Sequence, residues 1–85
     1  MATVSDLRRL IDHLDRQLVE LLSRRTNMVK QIMAKRDEDE PDTERESQVL
    51  SNWLEEGFDY DLDEVALEKV CKTVMELGRK AREVG

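Results

Sequence analysis

The sequence predicts an all-α fold of three helices, the first much the longest, completed by a second copy of the same chain. Three observations carry this prediction. Apolar residues recur at steps of three and four from Leu7 to Ile32, with neither Gly nor Pro to interrupt them. No stretch alternates with the period of two that a strand would show. An acidic break ending in Pro41 and a glycine at Gly57 divide the remainder into two shorter segments of helical period.

Helix 1 is expected over about residues 5–37. Its stripe is Leu7, Ile11, Leu14, Leu18, Leu21 with Leu22, Met28 with Val29, and Ile32, with Thr3 or Ser5 as N-cap and Asp6 in the first turn. Some thirty residues at 1.5 Å each make a rod of roughly 45 to 50 Å. That is longer than the diameter of a compact domain of this size, so the rest of the chain leaves part of the stripe uncovered and a second protomer is the natural cover. Arginines interrupt the pattern. Arg25 takes the step between Leu21 and Met28, Arg36 takes the step after Ile32, and Arg8 lies one turn before Ile11. A guanidinium on an apolar seam calls for an anion, because stranding a buried charge costs about 3 to 5 kcal/mol. Either a carboxylate of the protein or a ligand must supply it.

The run Asp37 to Pro41 is a break that no helix crosses. Asp42 or Thr43 then caps helix 2, expected over residues 42–56 and ending at Gly57. Val49, Leu50, Trp53 and Leu54 form its apolar face, and stepping back by turns from Trp53 reaches Glu46 and Asp42, two acids continuing that face beside Arg45. Phe58 to Asp61 reads as a linker whose aromatic rings tuck against the helix ends. An Asp61-x-x-Glu64 cap opens helix 3, expected over residues 62–83, with a stripe of Leu67, Val70, Cys71, Val74, Met75, Gly78, Ala81 and Arg82. A glycine inside a helix costs about 1 kcal/mol against alanine, so Gly78 is expected to make room. The whole chain, 1–85, reads as a single domain near the size at which one core gives only a few kcal/mol of stability.

Composition narrows the function. The net charge of −6 speaks against nucleic-acid binding, which needs a basic face. Yet the cations are nine arginines to five lysines, and the planar arginine fork suits carboxylates. A small anionic ligand fits this balance, as does a plain charged surface laced with ion pairs. The one cysteine, Cys71, fits a reducing compartment, and no apolar run reaches membrane-spanning length, so a cytoplasmic location without membrane partners is expected. His13 is the lone histidine and is expected in solvent; Cys71 is expected to be a buried small hydrophobe. Zinc spacing, an EF-hand and a glycine-rich phosphate loop are all absent from the sequence. A helical pocket of arginines and one or two acids could act only by holding, orienting and electrostatically stabilising its ligand.

Three segments carry a family resemblance: Leu7-Arg8-Arg9-Leu10-Ile11-Asp12-His13-Leu14-Asp15, Leu21-Leu22-Ser23-Arg24-Arg25, and Asp42-Thr43-Glu44-Arg45-Glu46-Ser47-Gln48-Val49-Leu50. In these the chain resembles the all-helical chorismate mutases over almost its entire length. The resemblance implies an intertwined homodimer with shared active sites, and the cofactor-free Claisen rearrangement of chorismate to prephenate in the shikimate pathway to phenylalanine and tyrosine. It further implies that Arg8 of the partner subunit and Arg25 clamp the substrate carboxylates, while Glu46 and the backbone near Asp42 bind the ring hydroxyl and Arg45 shapes that side. The cation that the family sets against the ether oxygen falls on Arg36, with Lys35 adjacent, and the resemblance allows either residue to supply it.

Helix 3 departs from the pattern. Where the family has a small hydroxyl residue and, four positions on, glutamine or glutamate, this chain has Gly78 and Arg82, with Glu83 next. Arg82, or a protonated Glu83, could replace the missing donor. The tail from Leu77 also resembles those of mutases activated by the first shikimate-pathway synthase, so that enzyme is a candidate partner. Two other readings stay open: an isochorismate pyruvate lyase on the same scaffold, and a non-catalytic helical dimerisation or regulatory module in which Arg8, Arg25 and Arg36 simply pair with Asp42 and Glu46.

Overall fold

The structure, a computed structural model, describes residues 1–36 and 42–84, the side chains of residues 82–84 excepted. Three helices account for it: α1 (Val4–Arg36), α2 (Thr43–Asp59) and α3 (Glu64–Val84), with no strand among the described residues. The acidic break of residues 37–41 lies outside them.

Local chemistry sets the helix ends. Thr3 caps α1 reciprocally with Asp6: the Asp6 N–H donates to Thr3 Oγ1 at 3.1 Å and the Thr3 N–H to Asp6 Oδ2 at 3.1 Å. Asp42 caps α2, accepting from the Arg45 N–H at 3.0 Å. The α3 cap is Asp63, two residues later than the sequence pattern indicated, accepting from the Ala66 N–H at 2.8 Å.

The end of α2 differs from expectation in a way that explains itself. The helix runs past Gly57 to Asp59, then closes with Leu62 N–H donating to Gly57 O at 3.0 Å and Asp61 N–H to Phe58 O at 3.2 Å. This is a Schellman closure with Asp61, at φ 57°, in the left-handed position usually held by glycine. Gly57 is instead a contact point, since a Cβ built on it would lie 2.2 Å from Leu67 Cδ2. The aromatic residues of the turn do not tuck in. Phe58 and Tyr60 are 82% and 73% exposed.

α2 and α3 form an antiparallel hairpin, and α1 packs on α3, whereas the backbones of α1 and α2 stay apart. Gly78 is buried on the α1 side of α3, where the two Val29 methyl carbons would lie 3.4 Å from an added Cβ. The core is thin. Among the described residues Cys71 and Val74 are the buried hydrophobic side chains, with Leu67, Met75, Val49, Leu50, Trp53 and Leu54 half-buried around them and Val70 out in solvent.

Beyond this core, among the described residues, α1 projects alone. Leu7, Leu10, Ile11, Leu14, Leu18, Val19 and Leu21 are each between 50% and 66% exposed. The molecule spans 54 × 27 × 15 Å with a radius of gyration of 15.7 Å, against about 12 Å for a compact chain of this length. Among the described residues no helix is long and apolar enough to cross a membrane.

Candidate active site

The separation of α1 from α2 leaves a cleft of about 260 Å³, floored by α3. Helical spacing on each wall aims the lining inward. α1 supplies Arg25, Val29, Ile32 and Arg36 from one face, so a guanidinium stands at either end of an apolar strip about 16 Å long. α2 supplies Asp42, Arg45, Glu46 and Val49, and α3 supplies Met75 and Arg79, one turn apart. Met28 and Met33 complete the apolar middle. Among the described residues four arginines and two acids line the wall, in a chain whose net charge is −6.

The acids are engaged individually. Asp42 uses one oxygen to cap α2 and turns Oδ2 to Arg36 Nη1 at 3.6 Å. Glu46 accepts through Oε2 from Arg79 Nη1, a bond from α3 to α2. Arg45 turns along its own helix, its Nη1 donating to Gln48 Oε1 at 2.8 Å. Arg25 is half-buried and has no carboxylate at ion-pair distance among the described residues. Its charge is felt beneath the cleft at Cys71: burial pushes that thiol above its usual range, Arg25 pulls it partly back, and Glu68 adds to the rise. Cys71 is thus a protonated core residue.

The structure brings together Arg25, Arg36, Asp42, Arg45 and Glu46 of the residues singled out by sequence. Lys35 is exposed and does not line the cleft, whereas its neighbour Arg36 does. Gly78 serves the contact between α3 and α1 and is not in the cleft wall. Arg82 and Glu83 belong to the last turn of α3, and their side chains lie outside the described residues. Arg8 is exposed about 25 Å along α1 from Arg25, so it does not join the cleft of its own chain. His13 is exposed too, and no group of His, Cys, Asp and Glu among the described residues could hold a metal ion.

Arg79 is the cleft residue that sequence reasoning passed over. It lies one position after Gly78, off the stripe as counted through that glycine. A step of four from Met75 does reach it, and Glu46, an acid continuing the apolar face of helix 2, was the other half of the signal.

The pairing also bears on the reading in which the arginines are merely structural. Among the described residues Glu46 is held by Arg79, Asp42 faces Arg36, and neither acid is at ion-pair distance from Arg25. Such a cleft can hold a carboxylate at Arg25 beside an apolar surface.

Comparison with characterised proteins and with solved structures gives no match. A family model described as chorismate mutase type II matches residues 7–83, a span that contains the whole cleft wall, and the chain belongs to the chorismate mutase type II family.

Proposed function

We propose that this chain rearranges chorismate to prephenate as a homodimer, each cleft completed by Arg8 of the partner subunit. The observation that carries the reading is Arg25, a half-buried guanidinium in an arginine-rich cleft with no carboxylate partner among the described residues. A substrate carboxylate is the anion it lacks. Arg25 and Arg8 of the partner subunit would hold the two carboxylates, and the apolar strip between Arg25 and Arg36 would seat the ring. Glu46, through Oε1, and the backbone at Asp42 would receive the ring hydroxyl, with Arg45 flanking them.

The chemistry needs no more than this. The rearrangement is intramolecular, so the protein must select the folded, chair-like conformer of a flexible dianion and stabilise the charge that develops on the ether oxygen. Bidentate arginine forks fix the carboxylates and hence the conformer. Arg36, at the far end of the strip, is the cation for the ether oxygen, and one well-placed donor of this kind is worth about 10² to 10³ in rate. Arg82 and Glu83, in the last turn of α3, are the candidates for a second donor there.

The test is to add chorismate to the purified protein, follow its loss by absorbance, and assay prephenate and pyruvate. Prephenate should form, and Arg25→Ala should lower kcat/KM at least 10²-fold, by the same scale, in a protein that stays folded. Glu46→Gln should lower kcat/KM as well, chiefly through a higher KM. Pyruvate in place of prephenate would move the chain to lyase chemistry. Turnover only after addition of the first shikimate-pathway synthase would make that enzyme an activating partner. An unfolded Arg25→Ala would return the arginine to a structural role.

A further inference from the structure

We propose that Arg79 is a positioning residue that holds the Glu46 carboxylate in the cleft wall; this rests on the mutase reading above. Arg79 Nη1 donates to Glu46 Oε2 between residues 33 apart in sequence, so the restraint on Glu46 comes from α3 and not from its own helix. The neighbouring cation does not compete for it, because Arg45 Nη1 is donated to Gln48.

The pair stands at a partition. Glu46, Met75 and Arg79 line the cleft on one side, and on the other they line an outer groove of about 410 Å³ that continues over Ser47, Lys72 and Glu76. A glutamate on a helix surface has three rotatable bonds, and in the outer groove its carboxylate would be well hydrated. With Oε2 tied to Arg79, the carboxylate stays in the wall and Oε1, which accepts no hydrogen bond among the described residues, faces a ligand as an acceptor. Without the tie the acid is drawn to the groove, and the cleft loses its acceptor and opens to water at the same point. The group that Glu46 receives is uncharged, an alcohol, and a fixed acceptor contributes to binding it equally before and during reaction.

The position of Arg79 therefore predicts a particular kinetic signature. Steady-state kinetics for chorismate on the dimeric protein, with a thermal unfolding midpoint for each variant, would compare wild type, Arg79→Ala, Arg79→Lys, Glu46→Gln and the Arg79→Ala/Glu46→Gln double variant. Arg79→Ala should raise KM about 10- to 100-fold, the scale of one charge-assisted hydrogen bond, with kcat nearly unchanged. Arg79→Lys should recover most of the loss, since an ammonium can still donate to Oε2. In the Glu46→Gln background Arg79→Ala should add less than about twofold, because two residues acting through one contact are not additive.

An equally large effect of Arg79→Ala in both backgrounds would overturn the proposal by showing that Arg79 meets the substrate itself. Wild-type kinetics in Arg79→Ala would overturn it as well. Should Arg79→Ala fail to fold, Arg79→Gln and Arg79→Lys carry the comparison, and equal KM values for those two would overturn the assignment. A wild-type protein that makes no prephenate would instead remove the mutase reading, an outcome separate from any of these.

Discussion

Arg25 and Asp6 show two ways a charge on the same helix can stand. Arg25 is half-buried without an acid beside it, whereas Asp6 is fully served in solvent: the Thr3 N–H, the Thr3 hydroxyl and then Arg9, at 2.6 Å, hold its carboxyl below the ordinary 3.8. A carboxyl lowered on folding stabilises the folded state above its unfolded value, and that contribution is lost as pH falls through its folded value. Asp6→Asn should therefore lower the thermal midpoint at neutral pH, and the gap to wild type should close as pH drops below 3.8. A gap that persists unchanged at pH 3 would mean that the amide loses something other than charge. At this scale most of the cleft was legible in the sequence. Arg25 and Arg36 declared themselves by breaking an apolar rhythm, and Asp42 and Glu46 by extending one. Arg79 was not legible from its own helix, because its meaning depends on an acid that only folding brings near.

Two glycines separate at the level of elements. Both are buried within helices, yet a Cβ at Gly57 would collide with Leu67 Cδ2, whereas one at Gly78 meets Val29 at ordinary contact distance. Gly57→Ala should destabilise by about 1 to 3 kcal/mol through overpacking. Gly78→Ala should be neutral or stabilise by up to about 1 kcal/mol, since alanine favours the helix and fits. Denaturant unfolding of both variants checks the contrast, and similar losses at the two sites would contradict it. Helix existence followed from the apolar period, and the N-terminal caps Thr3 and Asp42 from residue chemistry. The end of α2 did not follow, because Gly57 looks like a stop signal in sequence while its task is set by Leu67 on another helix. Exposure of Phe58 and Tyr60 was likewise hidden, since hydrophobicity says that an aromatic residue favours cover but not whether its own chain provides it.

The whole molecule is too open for its size. Its accessible surface of 7379 Å² exceeds by about 2,000 Å² what a compact monomer of this mass exposes. The apolar stripe on the projecting half of α1 is part of that exposed surface, and the excess is of the size that stable association buries. The proposed dimer places that half against a second copy, so Leu14→Glu, an exposed change in the lone chain, should yield a monomer by light scattering and abolish prephenate formation. A dimer that survives Leu14→Glu would place the interface elsewhere.

Among the described residues α1 and α2 share no backbone contact and, apart from the Arg36–Asp42 pair at the mouth of the cleft, are held in place by α3. Amide protons should register this as a hierarchy. Those of α3 around Cys71 and Val74 should exchange last, through global opening. Those of residues 7–21, which no other described residue buries, should exchange at a rate that falls as protein concentration rises, making hydrogen exchange in α1 a direct gauge of self-association.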